Sequence, residues 1–156
     1  MNIEELLARE SIRQTMATYT MAGDRLKADE FASAFTEDAV LESDQVPEQD
    51  AFHFQGIQAI RGWLTRWSGG AAEAESPRAS FVRHHLSTCH IQFADGITAT
   101  ARTYWTAYTD IGPDHGGYYL DSFRKVGERW LIAHRKVRLD WRSPASLFTS
   151  VVARSR

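Results

Sequence analysis

Hydrophobic positions recur at helical spacing through the first third of the chain and at strand spacing through most of the rest. Ile12, Met16 and Tyr19 fall at i, i+4 and i+7 and continue back through Leu6 and Leu7, which predicts an amphipathic helix over residues 3–22. Tyr19 and Gly23 stand at or near its end, and Asp24 follows where the chain must turn. Asp29 reads as the N-cap of a short second helix whose buried side is Phe31, Ala34 and Phe35. Thr36-Glu37-Asp38 breaks that helix, residues 39–42 read as a short strand, and the polar run 43–50 as a loop. Past Phe54-Gln55-Gly56, the residues Ile57, Ile60, Trp63, Leu64 and Trp67 predict a third helix. Residues 68–80, with Gly69-Gly70 and Pro77, carry no period and read as a surface loop or a lid.

After Phe81 the period changes to two. Four strands are expected, over 81–93, 97–109, 117–126 and 129–141, joined by hairpin signals at Asp95-Gly96 and Gly127-Glu128 and by a longer turn over 110–116. Helices first and a meandering sheet afterwards predict an α+β domain. Three N-terminal helices would cover one face of a curved antiparallel sheet and leave a conical pocket between the layers. The domain is expected to span 1–142, with a tail over 143–156.

Strand alternation then sorts candidates for that pocket. On 97–109 the better inner face is Ala99, Ala101, Thr103, Trp105 and Ala107. On 129–141 Arg135 shares a face with Leu131, Ala133, Val137 and Leu139, so its guanidinium needs either a structural carboxylate or a substrate that develops negative charge. On 117–126 the period does not choose between Tyr119, Asp121, Phe123 and Tyr118, Leu120, Ser122. On 81–93 strict alternation groups His85, Ser87, Cys89, Ile91 and Phe93, which puts His85 inside; a bulge would reverse that order.

Length and composition narrow the function. The 156 residues, 43% hydrophobic, suit one compact domain, and 12% aromatic content is enough to line a cavity as well as fill a core. A formal net charge of -2 gives no field for nucleic acid or anionic membrane, and the arginine-rich end of the chain reads as solvated surface. The single cysteine, Cys89, reads as a small core residue. No signal peptide or membrane span is expected, and the cytoplasm is the natural location. His84, His85 and His90 lack any established metal spacing, so no metal site is expected. His53, His115 and His134 read as loop or surface histidines.

A histidine turned inward beside an acid is a candidate general base, and Asp24 is the candidate acid. The segments Tyr19-Thr20-Met21-Ala22-Gly23-Asp24, Phe35-Thr36-Glu37-Asp38-Ala39-Val40, Phe54-Gln55-Gly56, Arg83-His84-His85 and the run from Phe123 to Trp130 resemble the SnoaL-like branch of the nuclear-transport-factor-2-like superfamily. Within it, the chain looks similar to scytalone dehydratase, the hexachlorocyclohexane dehydrochlorinases and the bile acid 7α-dehydratases. The resemblance implies an Asp-His pair at Asp24 and His84, against the alternation count, with further catalytic groups at Tyr19 and Arg135. It implies a cofactor-independent lyase that eliminates water or HX from a small hydrophobic cyclic substrate, held by Phe35, Trp63, Trp67, His85, Trp105, Tyr119 and Phe123. The same scaffold also serves isomerases, cyclases, binding proteins and small subunits of ring-hydroxylating dioxygenases. It implies a homo-oligomer, trimer or dimer, to which the outer face bearing Arg102 and Tyr104 could contribute.

Overall fold

The computed structural model describes residues 2–43, 51–68 and 79–148, without the side chains of 66–68. Asn2 opens helix α1, Ile3–Asp24, by accepting the Glu5 N–H at 2.8 Å, and Glu4 and Glu5 occupy the first turn, where the positive end of the helix favours acids. Its buried stripe holds the expected Ile12, Met16 and Tyr19 together with Thr15, Thr20 and Ala22. Leu6 and Leu7, by contrast, stay exposed, more than a turn ahead of the first buried position. A left-handed Leu26, φ 55°, ends the helix, and Lys27 N–H returns to the Ala22 carbonyl at 2.9 Å. That turn starts helix α2, Ala28–Ala32, from Lys27 with no side-chain cap. Asp29 therefore lies in the first turn instead of capping it, and bonds Arg61 Nε at 2.6 Å.

Strand β1, Phe35–Ser43, runs straight through the Thr36-Glu37-Asp38 segment expected to be a break. Strand β2, Phe52–Gln55, was not expected, because four residues are too few to display a period. Helix α3, Ile57–Ser68, buries Ile60 and Leu64 as its spacing predicts. Most of both loops flanking β2 and α3, at 44–50 and 69–78, lies outside the described residues, including the stretch read as a loop or lid. Strands β3, Arg83–Phe93, β4, Thr98–Thr109, β5, Gly112–Val126, and β6, Arg129–Arg142, follow. Strand β5 begins five residues earlier than its pattern suggested, since Gly112-Pro113 continues the ladder opposite Thr109 and Tyr108.

The sheet order is β2-β1-β6-β5-β4-β3. Strand β1 lies parallel to β6 and every other pair is antiparallel, so the curved sheet is mixed rather than purely antiparallel. Helix α1 is pinned to β6 by Thr15 Oγ1, which donates to the Trp130 carbonyl at 2.5 Å, and by Ser11 Oγ, which accepts the Trp130 N–H at 3.1 Å. Between helices and sheet lie fully buried Ile12, Phe31, Phe35, Leu41, Ile60, Phe123 and Ile132. Each such side chain contributes about 1.5–3 kcal/mol by leaving water. No described helix is long and apolar enough to cross a membrane.

Two irregularities decide what faces the helices. Leu86 pairs with Trp105 but Cys89 pairs with Thr103, so Ser87-Thr88 inserts one extra residue into β3. The bulge reverses the alternation count: His84 joins Cys89 and Ile91 on the covered face, and His85 points the other way, 4.6 Å from the Tyr108 ring. Near the start of β6 the register skips Ala133, and Ile132 is fully buried in its place. On β5 the open choice resolves to Tyr119, Asp121 and Phe123 inside.

Gly117 shows how tightly β5 and β6 meet, because a Cβ built there would sit 2.0 Å from the Arg138 carbonyl oxygen. Backbone cannot yield as a side chain can. Gly117→Ala is expected to destabilise the fold by about 3 kcal/mol, read from the urea midpoint at unchanged m-value.

Candidate active site

Asp24 is the last residue of α1, where the negative end of the helix disfavours a carboxylate. Two donors from His84 offset that position. The His84 backbone N–H reaches Asp24 Oδ2 at 3.0 Å, and His84 Nδ1 lies 2.5 Å from Oδ1. The first bond clamps β3 to the helix end; the second orients the ring. Because a carboxylate only accepts, Nδ1 carries the hydrogen and an uncharged ring has its lone pair at Nε2. No described residue bonds that atom. Asp24 is nearly buried and the His84 side chain is 25% exposed, so the base remains accessible while its partner does not.

A second pair stands beside the first. His115, expected at the surface, is 8% exposed, and its ring packs edge-on to His84 at 6.2 Å between centroids. Its Nδ1 bonds Asp114 Oδ1 at 2.7 Å. Asp114, fully buried, also accepts from Thr109 Oγ1 at 3.1 Å, Ser146 Oγ at 2.5 Å and the Leu147 N–H at 2.8 Å. Both neighbours are buried because Asp114 is the extra residue between the Ala107–His115 and Tyr108–Pro113 pairs, and residues 143–148 cover it. Phe148 packs on the His115 ring at 5.0 Å. Burial lowers the His115 pKa below 6.5 and the nearby His84 lowers it further, with Asp114 acting in the opposite sense. Burial alone would raise the Asp114 carboxyl, but its donors hold it below 3.8.

Trp105 joins the two pairs. Its ring lies 5.7 Å from His84 and 5.6 Å from His115, and it stacks on Tyr119 at 5.6 Å and 18°. Beyond Tyr119, Arg135 is sandwiched with its guanidinium carbon 4.0 Å from both the Tyr119 and Tyr19 rings. The structural carboxylate it needed is Asp121, bound through Nε and Nη2 at 2.7 Å each, with both side chains fully buried. Burial works against the Arg135 charge, but Asp121 outweighs it and the pKa is raised. Nη1 is left without a partner among the described residues. Burial also raises the Tyr19 hydroxyl, against the pull of Arg135, and holds Tyr119 well above its ordinary range.

Of the remaining predicted contacts, Phe35 packs on Tyr19 and Phe31, and Trp63 on Phe31, Phe52 and Phe54. Phe123 is core, His85 faces outward, and the Trp67 side chain lies outside the described residues. His53 and His134 share Glu42, at 3.1 and 2.9 Å, away from the site. No three His, Cys, Asp or Glu side chains among the described residues are arranged to hold a metal ion. Sequence reasoning missed Asp114 and His115 because they sit in a Gly-Pro-Asp-His-Gly-Gly run that reads as a turn. The available signal was the Asp-His dipeptide itself.

Helices at the head of a curved, mostly antiparallel sheet define an NTF2-like, cystatin-like fold. Residues 4–136 match the SnoaL-like domain, and the chain belongs to that family. No curated protein matches the chain. Among solved structures it is similar to a candidate scytalone dehydratase from Novosphingobium aromaticivorans, at 24% identity and TM-score 0.72 over 92% of this chain and 91% of that one. It is similar to a hexachlorocyclohexane dehydrochlorinase from Novosphingobium barchaimii, at 12% identity and TM-score 0.72 over 92% and 94%. An NTF2-like protein with a cystatin-like fold from Novosphingobium aromaticivorans matches at 22% identity and TM-score 0.70 over 90% and 87%. At these identities the likeness is one of fold.

Asp121→Asn, which strands the Arg135 charge, is expected to destabilise the protein by about 3–5 kcal/mol in urea unfolding. A His115 pKa below 6.5 means that acid protonates the unfolded chain before the native one. Its stabilising contribution is therefore complete above 6.5 and is lost as pH falls through that value towards the lower native pKa. The loss of stability between pH 7.5 and 5.5 should be smaller in His115→Gln than in the native sequence. The Asp114 contribution is separable, because a lowered carboxyl pKa loses it only as pH falls below 3.8.

Proposed function

We propose that this chain is a cofactor-independent lyase that eliminates water from a cyclic substrate by general base catalysis. The observation that carries the reading is the Asp24–His84 pair, with an accessible imidazole whose Nε2 has no partner among the described residues. His84 Nε2 takes a proton from a ring carbon next to a carbonyl, and Asp24 stabilises the imidazolium that forms. The electrons of that C–H bond form the C=C bond as the neighbouring C–O bond breaks. His84 returns the proton to the departing oxygen, so water leaves and the protein is unchanged.

His115 suits this chemistry because burial keeps it uncharged. Two imidazolium rings in contact would repel each other strongly in such a site, whereas a neutral His115 leaves the charge to His84 and Asp24. Its own Nε2 can accept a hydrogen bond from a substrate hydroxyl. Tyr19, kept protonated by burial, serves as a hydrogen-bond donor to the departing hydroxyl. Trp105, in contact with both histidine rings, gives the substrate ring an apolar neighbour. The family membership and the likeness to a candidate scytalone dehydratase and a dehydrochlorinase favour elimination.

Cyclic β-hydroxyketones, such as 3-hydroxy-1-tetralone, are the first compounds to screen, with loss of water followed by mass spectrometry. On the compound turned over fastest, His84→Ala and Asp24→Asn should each lower kcat by about 10²-fold or more while the melting temperature stays close to native. Native rates in either variant would sink the proposal, and a product of unchanged mass would point to isomerisation.

A further inference from the structure

The Trp105 side chain has only 5% of its surface exposed, and its Nε1–H has no partner among the described residues. An indole N–H left unbonded in such a place costs about 1–3 kcal/mol, and native proteins seldom leave one without a use. Among the described residues, the other side-chain polar atoms in the same condition are Thr20 Oγ1, Ser43 Oγ and Arg135 Nη1. Of these residues, Trp105 alone has ring contacts to both His84 and His115. Its ring cannot turn freely either, being stacked on Tyr119, which Arg135 holds from the other side.

We propose that Trp105 Nε1–H is the donor that binds a carbonyl oxygen of the substrate, and that the site therefore takes oxygenated rings, cyclic ketones above all, in preference to hydrocarbon or halogenated rings. This rests on the lyase reading above and makes its substrate class definite. An indole N–H can only donate, so it is satisfied by an acceptor oxygen and poorly by a halogen. A carbon beside a carbonyl gives up its proton to an imidazole far more readily than an unactivated one, so donor and base serve the same substrate fragment. In a ketone the oxygen and the adjacent carbon are two bonds apart, and the Trp105 and His84 rings are direct neighbours, 5.7 Å apart at their centroids. As the carbon ionises, charge moves onto that oxygen. The hydrogen bond from Trp105 then strengthens where it is needed.

The test is binding of a matched pair of probes to the full ¹⁵N-labelled chain: 1-tetralone, which has the carbonyl, and tetralin, which lacks it. The Trp105 indole signal is assigned by its disappearance in Trp105→Phe, a change that keeps an aromatic ring and removes the donor. The ketone should bind saturably, move the Trp105 indole proton downfield, and bind about tenfold more tightly than tetralin, as one hydrogen bond of this kind allows. Trp105→Phe should abolish that preference, so that 1-tetralone and tetralin then bind with equal affinity. Equal affinities in the native chain, an undiminished preference in Trp105→Phe, or no saturable binding of 1-tetralone would each overturn the proposal. Binding needs no turnover, so the two readings fail separately. A Trp105-dependent ketone preference without elimination of any hydroxyketone would count against the lyase and for this recognition role.

Discussion

The ion pair between Arg135 and Asp121 sets the terms for everything around it. The two residues face each other across β5 and β6, fully buried, with a tyrosine ring on either side of the guanidinium. A charge in that position is tolerable only because two hydrogen bonds and an opposite charge answer it. That requirement fixes the register of the two central strands, the inward face of β5 and the orientation of Tyr19 and Tyr119. Trp105 stacks on Tyr119, and both histidines rest against Trp105. The order of the site is thus transmitted from the core outwards, ring by ring.

Within that frame the two Asp-His pairs are held in contrasting ways. Asp24 is delivered by a helix end and grips both the backbone and the ring of His84, so a single carboxylate aligns a strand and a base. Asp114 is the residue next to its histidine and is gripped by four donors from β4, its own strand and residues 143–148. The first pair leaves its imidazole accessible and the second buries it. Burial disfavours the charged form of the His115 ring, so the site holds a neutral imidazole beside an accessible one.

Much of this was legible in the chain. The stripe Ile12, Met16, Tyr19 and the alternation on β4 specify which face is buried because each has an unbroken period. Asp24 and His84 could be named because the segments around them resemble a family. What periodicity could not supply was the direction of His84, since one extra residue at Ser87-Thr88 inverts every side chain beyond it. Strand β2 was too short to carry a period, and the glycines before and after Asp114-His115 disguised a strand as a turn. Gly117 is there for close approach of two backbones, which no local rule reveals.

The sequence by itself determined the class of fold, the helices and most strands, and the presence of a buried guanidinium in need of a carboxylate. These follow from local spacing and from the energy of exposing or burying particular groups. Only the tertiary structure decided that the carboxylate is Asp121, that His84 and not His85 faces the helices, and that His115 stands against His84. Each depends on register between strands distant in the chain. Register is set by bulges and by cross-strand pairs, which one segment read alone does not contain.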